Sequence, residues 1–154
     1  MTTYQFRVKF EYAPTELWRD IIVGADRTLD EFQTVLNRAV GLDQDHLWFV
    51  GTDQDYWDSD VQYKCPSEFE QSSDGLVRGG EEYDAGETTV GQMARRLDLN
   101  EHDRLCYLFD YGDEWRFYAI LKEITEDEPS DTEPAVVNRK GDPVDQYAPP
   151  DERL

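Results

Sequence analysis

Two aspartates, Asp110 and Asp113, stand in the run FDYGDEW at 109–115, separated by a Tyr-Gly pair and followed by Trp115. A carboxylate pair can perform acid–base chemistry when burial and separation give the two groups different pKa values. The same residues between two strands are typical of a hairpin turn, in which glycine adopts a positive φ and aspartates cap backbone N–H groups. The run therefore has two interpretations, a tight turn and a polar–aromatic binding site that also includes Tyr111.

A second polar–aromatic pair, Trp18 and Arg19, lies in the run PTELWR at 14–19. The arginine side chain can pack over an aromatic ring as part of the core. It can equally present a planar set of N–H donors to an anion or to the carboxylate of a partner. Both interpretations stay open, because the strand expected at 17–23 has apolar residues on both faces and an ambiguous register.

Histidine and cysteine are too few and too widely spaced for a recognisable metal site. His46 begins an apolar run, His102 lies in a polar segment, and Cys65 and Cys106 are far apart in the chain. The short ligand spacings of zinc motifs are absent, and two cysteines make no disulfide framework. The acidic run GTDQDYWDSD (51–60) resembles a calcium loop but lacks the turn glycine and the bidentate Glu of an EF-hand. We therefore expect no metal and no cofactor.

Signatures of common enzyme classes are also missing, since the sequence holds no GxxxxGK[ST], GxGxxG, GxSxG or HExxH. One enzymatic alternative stays open, a metal-dependent hydrolase that uses Asp110, Asp113 and His46. It would require a deep pocket in which the carboxylates lie within a few ångströms of one another.

The charge balance is strongly acidic, with 35 Asp and Glu against 15 Lys and Arg and a net charge of -20. Lysine is rare, arginine is commoner, and aspartate outnumbers glutamate. This pattern is typical of proteins in multimolar intracellular salt, where the Debye length is about 3 Å or less and repulsion between the carboxylates is screened. The alternative is an ordinary acidic cytosolic protein. The charge disfavours nucleic acid at low salt, and high salt weakens that exclusion. A third hypothesis is therefore a nucleic-acid-associated accessory factor of a mobile element, with an arginine-lined face made from Arg7, Arg19, Arg38 or Arg116.

The N-terminal residues MTTYQFRVKF form a strand pattern without the apolar region of a signal peptide, and no apolar run reaches transmembrane length. We expect a cytoplasmic protein without membrane attachment.

Hydrophobic periodicity and capping signals predict most of the elements. Alternation at 4–12 predicts a half-buried strand, and 17–23 should return as the second strand of a hairpin. Thr28 and Glu31 form a capping box, apolar residues follow at helical spacing, and Gly41 stands at the C-cap position. These signals predict a helix over 29–40. Further strands are expected at 46–50, 61–65, 104–110 and 114–124, with a short helix from Val90 to about Leu97.

The order β-β-α-β-β-α-β-β is that of the ubiquitin-like β-grasp, with an inserted loop and an extra C-terminal strand. We therefore expect an α+β domain over 1–124 with a mixed β-sheet and one main helix packed across it. The insertion is the polar, Gly-rich stretch 72–86, expected to be mobile. Residues 125–154 are acidic and Pro-rich and are expected to form an extended or partly disordered tail, with 135–137 as the part able to dock on the domain.

Three runs of the sequence resemble the Ri-plasmid open-reading-frame-three-like family, also called the TnpR passenger family of insertion elements. They are YQFRVKFEYAPTELWR, TLDEFQTVLNRAVGLDQDHLWFV and LCYLFDYGDEW, which together span 4–124. The resemblance implies an α+β fold with the helix packed on a sheet and no established enzymatic activity. The TnpR label suggests a transposon resolvase, but the sequence lacks a serine-nucleophile context and a basic helix-turn-helix.

The resemblance also argues against histidine-dependent chemistry, because family members often carry a histidine where this chain has Phe117. The leading hypothesis is a non-enzymatic interaction module with a protein partner, whose identity and the oligomeric state stay open. Its candidate binding surface, near one end of the sheet, consists of Trp18, Arg19, His46, Asp110, Tyr111, Asp113 and Trp115.

Overall fold

The computed structural model describes residues 2–53, 56–71 and 81–146. Within these residues the chain forms one eight-stranded sheet, three α-helices and a 3-10 turn. The strands are β1 (Thr2–Phe10), β2 (Trp18–Gly24), β3 (Trp48–Gly51), β4 (Val61–Lys64), β5 (Glu81–Asp84), β6 (Arg104–Phe109), β7 (Trp115–Glu126) and β8 (Ala135–Lys140). The helices are α1 (Leu29–Val40), α2 (Pro66–Gln71) and α3 (Val90–Arg96), and the 3-10 turn is Tyr56–Asp58.

The sheet has the strand order β5-β4-β3-β6-β7-β1-β2-β8. All neighbours are antiparallel except β4 and β5, which are parallel. The expected β-grasp order with one main helix is therefore wrong. The long strand β1 lies between β7 and β2 and is antiparallel to both, and the described elements also include α2, β5 and β8. Pairing between strands distant in sequence decides this order, which local patterns do not encode.

The individual elements at the N-terminal half follow the sequence closely. Tyr4, Phe6, Val8 and Phe10 are buried on one face of β1. The capping box at the start of α1 is complete in both directions, and Gly41 ends the helix in the left-handed region with φ 93°. The observed bounds of α1, Leu29–Val40, are those predicted from these signals.

Helices α1 and α3 cover one face of the sheet and enclose the main core. Phe32 of α1 packs edge-on against Phe6 at 5.5 Å between ring centroids, and Met93 of α3 is buried in the same cluster. The two helices begin side by side, because Thr28 and Thr89, their N-caps, form an isolated β-bridge. We call the opposite side of the sheet the open face.

The stretches expected as a loop and a tail contribute strands to the sheet. Of the expected mobile loop 72–86, residues 72–80 lie outside the described residues, whereas 81–84 form β5. Ala135–Lys140 pairs with β2 as the edge strand β8. Among the described residues, no helix is both long enough and apolar enough to cross a membrane.

Candidate functional site

The run FDYGDEW forms the turn between β6 and β7, which pair antiparallel on either side of it. The Asp110 carboxylate accepts hydrogen bonds from the backbone N–H of Gly112 at 3.1 Å and of Asp113 at 3.3 Å. The turn interpretation is therefore confirmed. The glycine does not supply the positive φ, however, because Asp110 (66°) and Glu114 (52°) adopt it. Aspartate tolerates this region, since its short polar side chain can hydrogen-bond locally.

His46 lies beside this turn, just before β3. Its Nε2 is 3.4 Å from Asp110 Oδ2 and 3.7 Å from Asp45 Oδ1, and its ring meets Phe109 edge-on at 5.9 Å. The Asp110 backbone N–H donates to the Leu47 carbonyl at 2.8 Å, which ties the turn to the chain leading into β3. The side chain of His46 is 42% exposed and that of Asp110 only 12%. The structure thus brings together two of the residues expected in one site.

Tyr111, the next residue of the turn, connects to a charged cluster on α2, β4 and β5. Its hydroxyl donates to the Glu68 carboxylate, which also accepts from Lys64 at 3.2 Å. Lys64 in turn lies 2.5 Å from the Glu82 carboxylate, whose side chain is almost fully buried. Burial and the adjacent Glu68 carboxylate raise the pKa of Tyr111, so this hydroxyl stays protonated and acts as a donor.

An exposed tryptophan, Trp57, completes an aromatic cluster with Tyr111. Its ring lies 4.9 Å from Tyr111 and 5.1 Å from Phe49, yet the residue is 42% exposed. The 3-10 turn that carries it is anchored by the buried Tyr56, whose hydroxyl donates to the Phe117 carbonyl at 2.9 Å. Sequence reasoning missed this residue. The available signal was a large aromatic side chain within the acidic run at 51–60, where no apolar periodicity explains it.

Arg19 lies inside the molecule, only 1% exposed. Its guanidinium donates to four backbone carbonyls, those of Trp18 (2.9 Å), Ala39 (2.9 Å), Lys140 (2.8 Å) and Gly141 (3.0 Å). The planar donor fork is therefore directed at the end of α1 and at the segment containing β8. Burial and, second, repulsion from Arg139 lower the pKa of Arg19.

The two remaining tryptophans of the expected surface are not part of this group, since one is buried opposite Phe109 and the other lies on a distant strand. Trp115 is fully buried and packs against Phe10 at 5.9 Å. Trp18 lies on the open face beneath the Arg7 guanidinium, 3.9 Å from the ring centroid. Its strand is four positions from β3 in the sheet, so interstrand spacing places it about 19 Å from the chain at His46. The structure therefore groups His46, Asp110, Tyr111 and Asp113 and separates them from Trp18.

Phe117, the position at which the resemblance implied a histidine in other family members, points into the core. Phe117 is fully buried and packs 5.1 Å from Phe10. Cys65 and Cys106 are both buried and free. Across the part of the chain that the structure describes, no group of three His, Cys, Asp or Glu side chains is placed to hold a metal ion.

Comparison with known proteins gives a family and a fold. Residues 2–151 match the family model described as plasmid pRiA4b ORF-3-like protein. A similar solved structure is the protein of unknown function MM3350 from Methanosarcina mazei Go1, with a TM-score of 0.63 and 14% identity, covering 92% of this chain and 72% of that one. At this identity the similarity concerns the fold alone. No curated protein is significantly similar to the chain in sequence.

Proposed function

The chain belongs to the plasmid pRiA4b ORF-3-like family, and from this premise we propose that it is a non-enzymatic binding protein. It docks a basic segment of a protein partner on the Trp57 surface, which consists of Trp57, Tyr111, His46 and Leu47. The observation that carries the proposal is the exposure of Trp57, 42%, while its ring contacts two others. A rigid aromatic side chain that keeps a solvent-facing surface is typical of the anchors of protein interfaces.

The charge around this surface supports a basic partner. Asp45, Asp53, Asp58 and Asp113 are exposed in the segments that flank it, and the whole chain carries a net charge of -20. A Lys or Arg of the partner can stack on an aromatic face while its charge stays near these carboxylates. Complementary charge of this kind raises association rates and excludes acidic partners.

Rigidity of the surface also supports binding. The Tyr111 hydroxyl is held by Glu68, which is itself held by Lys64. Lys64 keeps its charge at this partly buried position: burial would lower its pKa, but the hydrogen bond with Glu82 and the charge of Glu68 outweigh that effect and raise it. Side chains fixed before binding lose little conformational entropy when a partner docks.

The carboxylate of Asp110 favours a positioning role over acid–base chemistry. One of its oxygens accepts the backbone N–H groups of the turn, and the other faces His46 at 3.4 Å. This arrangement supports a role for the pair in holding the turn against the chain before β3, and with it the position of Tyr111.

The proposal also includes the salt concentration of the cytoplasm and a role on a mobile element. The Asp-rich, Lys-poor composition supports a cytoplasm with multimolar salt, and the plasmid origin of the family description supports a passenger role on a mobile element. The first is tested by unfolding in increasing potassium chloride. A halophilic protein gains stability well above the salt concentration at which an ordinary acidic protein levels off.

The binding proposal is tested by capture from a lysate of the source organism at its own salt. Wild type, Trp57→Ala and the matched control Val137→Ala, which removes an exposed apolar side chain of β8, serve as bait. We expect a partner that is lost with Trp57→Ala and kept with Val137→Ala. Its cross-linked contact segment should carry net positive charge, and a synthetic peptide of that segment should quench tryptophan fluorescence in wild type but much less in Trp57→Ala.

Two results would contradict the proposal. One is a partner that binds Trp57→Ala as well as wild type, and the other is a contact segment with net negative charge.

A further inference from the structure

The open face carries an ordered row of alternating cations and aromatic rings that crosses four strands. Trp18 pairs directly with Lys140 of β8 and with Lys9 of β1, and Lys9 pairs on its other side with Tyr118 of β7. Directly opposed residues of antiparallel strands project on the same side of the sheet. The row Lys140, Trp18, Lys9, Tyr118 therefore lies on one surface, away from α1 and α3.

Two arginines from the adjacent row lie over the two rings. The Arg7 guanidinium lies 3.9 Å from the Trp18 centroid, and that of Arg104 lies 4.0 Å from the Tyr118 centroid. Arg7 is fixed in this position by two hydrogen bonds to the Asp20 carboxylate, at 2.8 and 2.9 Å. Each ring of the row therefore carries a guanidinium over one of its faces.

The two rows carry net positive charge, opposite in sign to the net charge of the whole chain. Four of the fifteen Lys and Arg residues lie in the two rows, and the carboxylate within them, Asp20, is engaged by Arg7. In the described residues no carboxylate lies within ion-pair distance of Lys9, Arg104 or Lys140. A positive patch is therefore available to an anionic partner despite the net charge of -20.

We propose that the open face binds single-stranded nucleic acid, with phosphates near Lys9 and Lys140 and bases stacked on the Arg7–Trp18 and Arg104–Tyr118 pairs. Unpaired bases stack on aromatic side chains and on arginine planes, and sheet faces that combine both are used in this way. The two pairs lie two interstrand spacings apart, about 10 Å, with Lys9 between them. The alternation of flat faces and point charges matches bases and phosphates, whereas an acidic peptide offers charge without a flat face. The residues of this row are different from those of the Trp57 surface, so variants can test the two proposals independently.

The test measures fluorescence anisotropy of a labelled oligothymidylate of about 12 nucleotides, within the site sizes of known single-strand-binding folds. The full chain is compared with Tyr118→Ala and Lys9→Gln. The matched control is Arg38→Gln, which removes one exposed positive charge from α1 on the other side of the sheet. We expect Tyr118→Ala to weaken binding about 5- to 150-fold, as for the loss of one stacked base. Lys9→Gln should reduce the slope of log affinity against log salt by about 0.7, and Arg38→Gln should leave the affinity within about twofold of wild type.

Further measurements distinguish a loss of base stacking from a loss of folding and from a loss of charge. Tyr118→Phe keeps the ring and should bind as wild type does, which shows that the ring and not the hydroxyl is needed. The circular dichroism spectrum and unfolding curve of Tyr118→Ala itself should show that this variant is folded under the binding conditions. A polyglutamate peptide of matched charge should compete poorly. The proposal is overturned if wild type fails to bind the oligonucleotide across the salt range, if Arg38→Gln loses as much affinity as Lys9→Gln, or if polyglutamate competes equally, which would identify an acidic peptide as the partner.

Discussion

Replacement of Arg19 by alanine should remove a large part of the free energy of unfolding of this chain. The guanidinium is 1% exposed and donates to four backbone carbonyls. Two of these, at Lys140 and Gly141, belong to β8 and the residue after it, and one, at Ala39, lies in the last turn of α1. The carbonyl end of a helix carries partial negative charge, so α1 helps to stabilise a buried cation that faces carbonyl oxygens and not a carboxylate.

The magnitude follows from the groups left behind. A hydrogen bond to a charged group contributes about 1.5–3 kcal/mol, and a buried acceptor without a donor costs about 1–3 kcal/mol. The four bonds share one side chain and are not additive, so we take about 4 kcal/mol as the loss in Arg19→Ala. Total stability of a domain is about 5–15 kcal/mol. The expected fall in Tm is about 8–16 °C for a chain of this length.

The assay is urea unfolding followed by circular dichroism, together with amide exchange in β8. The control is Arg139→Ala, because Arg139 is the exposed cross-strand neighbour of Arg19. Arg139→Ala should change stability by no more than about 0.5 kcal/mol, since it removes a repulsion and exposes no acceptor. A loss below about 1 kcal/mol in Arg19→Ala, or equal losses in the two variants, would refute the assignment of Arg19 as the connector of β2, β8 and α1.

Three further changes have defined outcomes. Tyr107→Phe removes a buried hydroxyl that donates to Asn37 at 2.5 Å and accepts from Gln33 at 2.8 Å, and should cost about 1–3 kcal/mol in urea unfolding. Gly141→Ala forces a side chain into the left-handed region at φ 87°, with its Cβ 2.1 Å from the Glu16 carbonyl oxygen, and should speed amide exchange in β8 while costing at least about 2 kcal/mol. Burial raises the pKa of Cys106 to about 11, above the value of about 8.5 for an unfolded thiol. The neutral thiol of Cys106 therefore contributes its full stability below about pH 8.5, and about 3 kcal/mol of that stability is lost as the pH rises through about 11. In Cys106→Ala this pH-dependent loss should be absent from unfolding curves measured below about pH 8.5 and above about pH 11.

Local signals in the sequence predicted the elements that carry strong periodicity or complete caps. The alternation placed β1 within two residues of its bounds, and the capping box with Gly41 placed α1 at its bounds. The short helix expected from Val90 is found as α3, which begins at that residue after a capping box at Thr89. The turn of FDYGDEW was also expected from its residue types, although the positive φ lies at Asp110 and Glu114 and not at the glycine.

The missed strands are short or exposed and leave no periodic signal. β5 is EEYD, four residues at an edge, and all six residues of β8 are exposed. Both depend on pairing with partners far along the chain, so their register is decided by tertiary structure. The β-grasp expectation failed for the same reason, because the position of β1 between β7 and β2 is a property of the whole sheet.

The candidate site was predicted only in part because the sequence does not show which side chains are buried. The sequence named Arg19 and Trp115 as surface anchors by residue type, but type alone does not reveal which parity of a strand faces the core, and both side chains are buried. Trp57 was passed over because it lies in an acidic stretch without periodicity. Only its contacts with Tyr111 and Phe49 support the anchor role that we propose for it.

The edge strand β8 is also relevant to aggregation between copies of this chain. Its outer edge offers backbone donors and acceptors beside Val136 and Val137, which are 39% and 51% exposed, and such an edge can template aggregation. Net charge offers little protection wherever salt screens it. Two short-range features of β8 are of the kind that protects an edge strand in native proteins. One is the irregularity in pairing between Asp20 and Ile21, which leaves Val137 unmatched, and the other is the pair of cations Arg139 and Lys140 at the end of the strand.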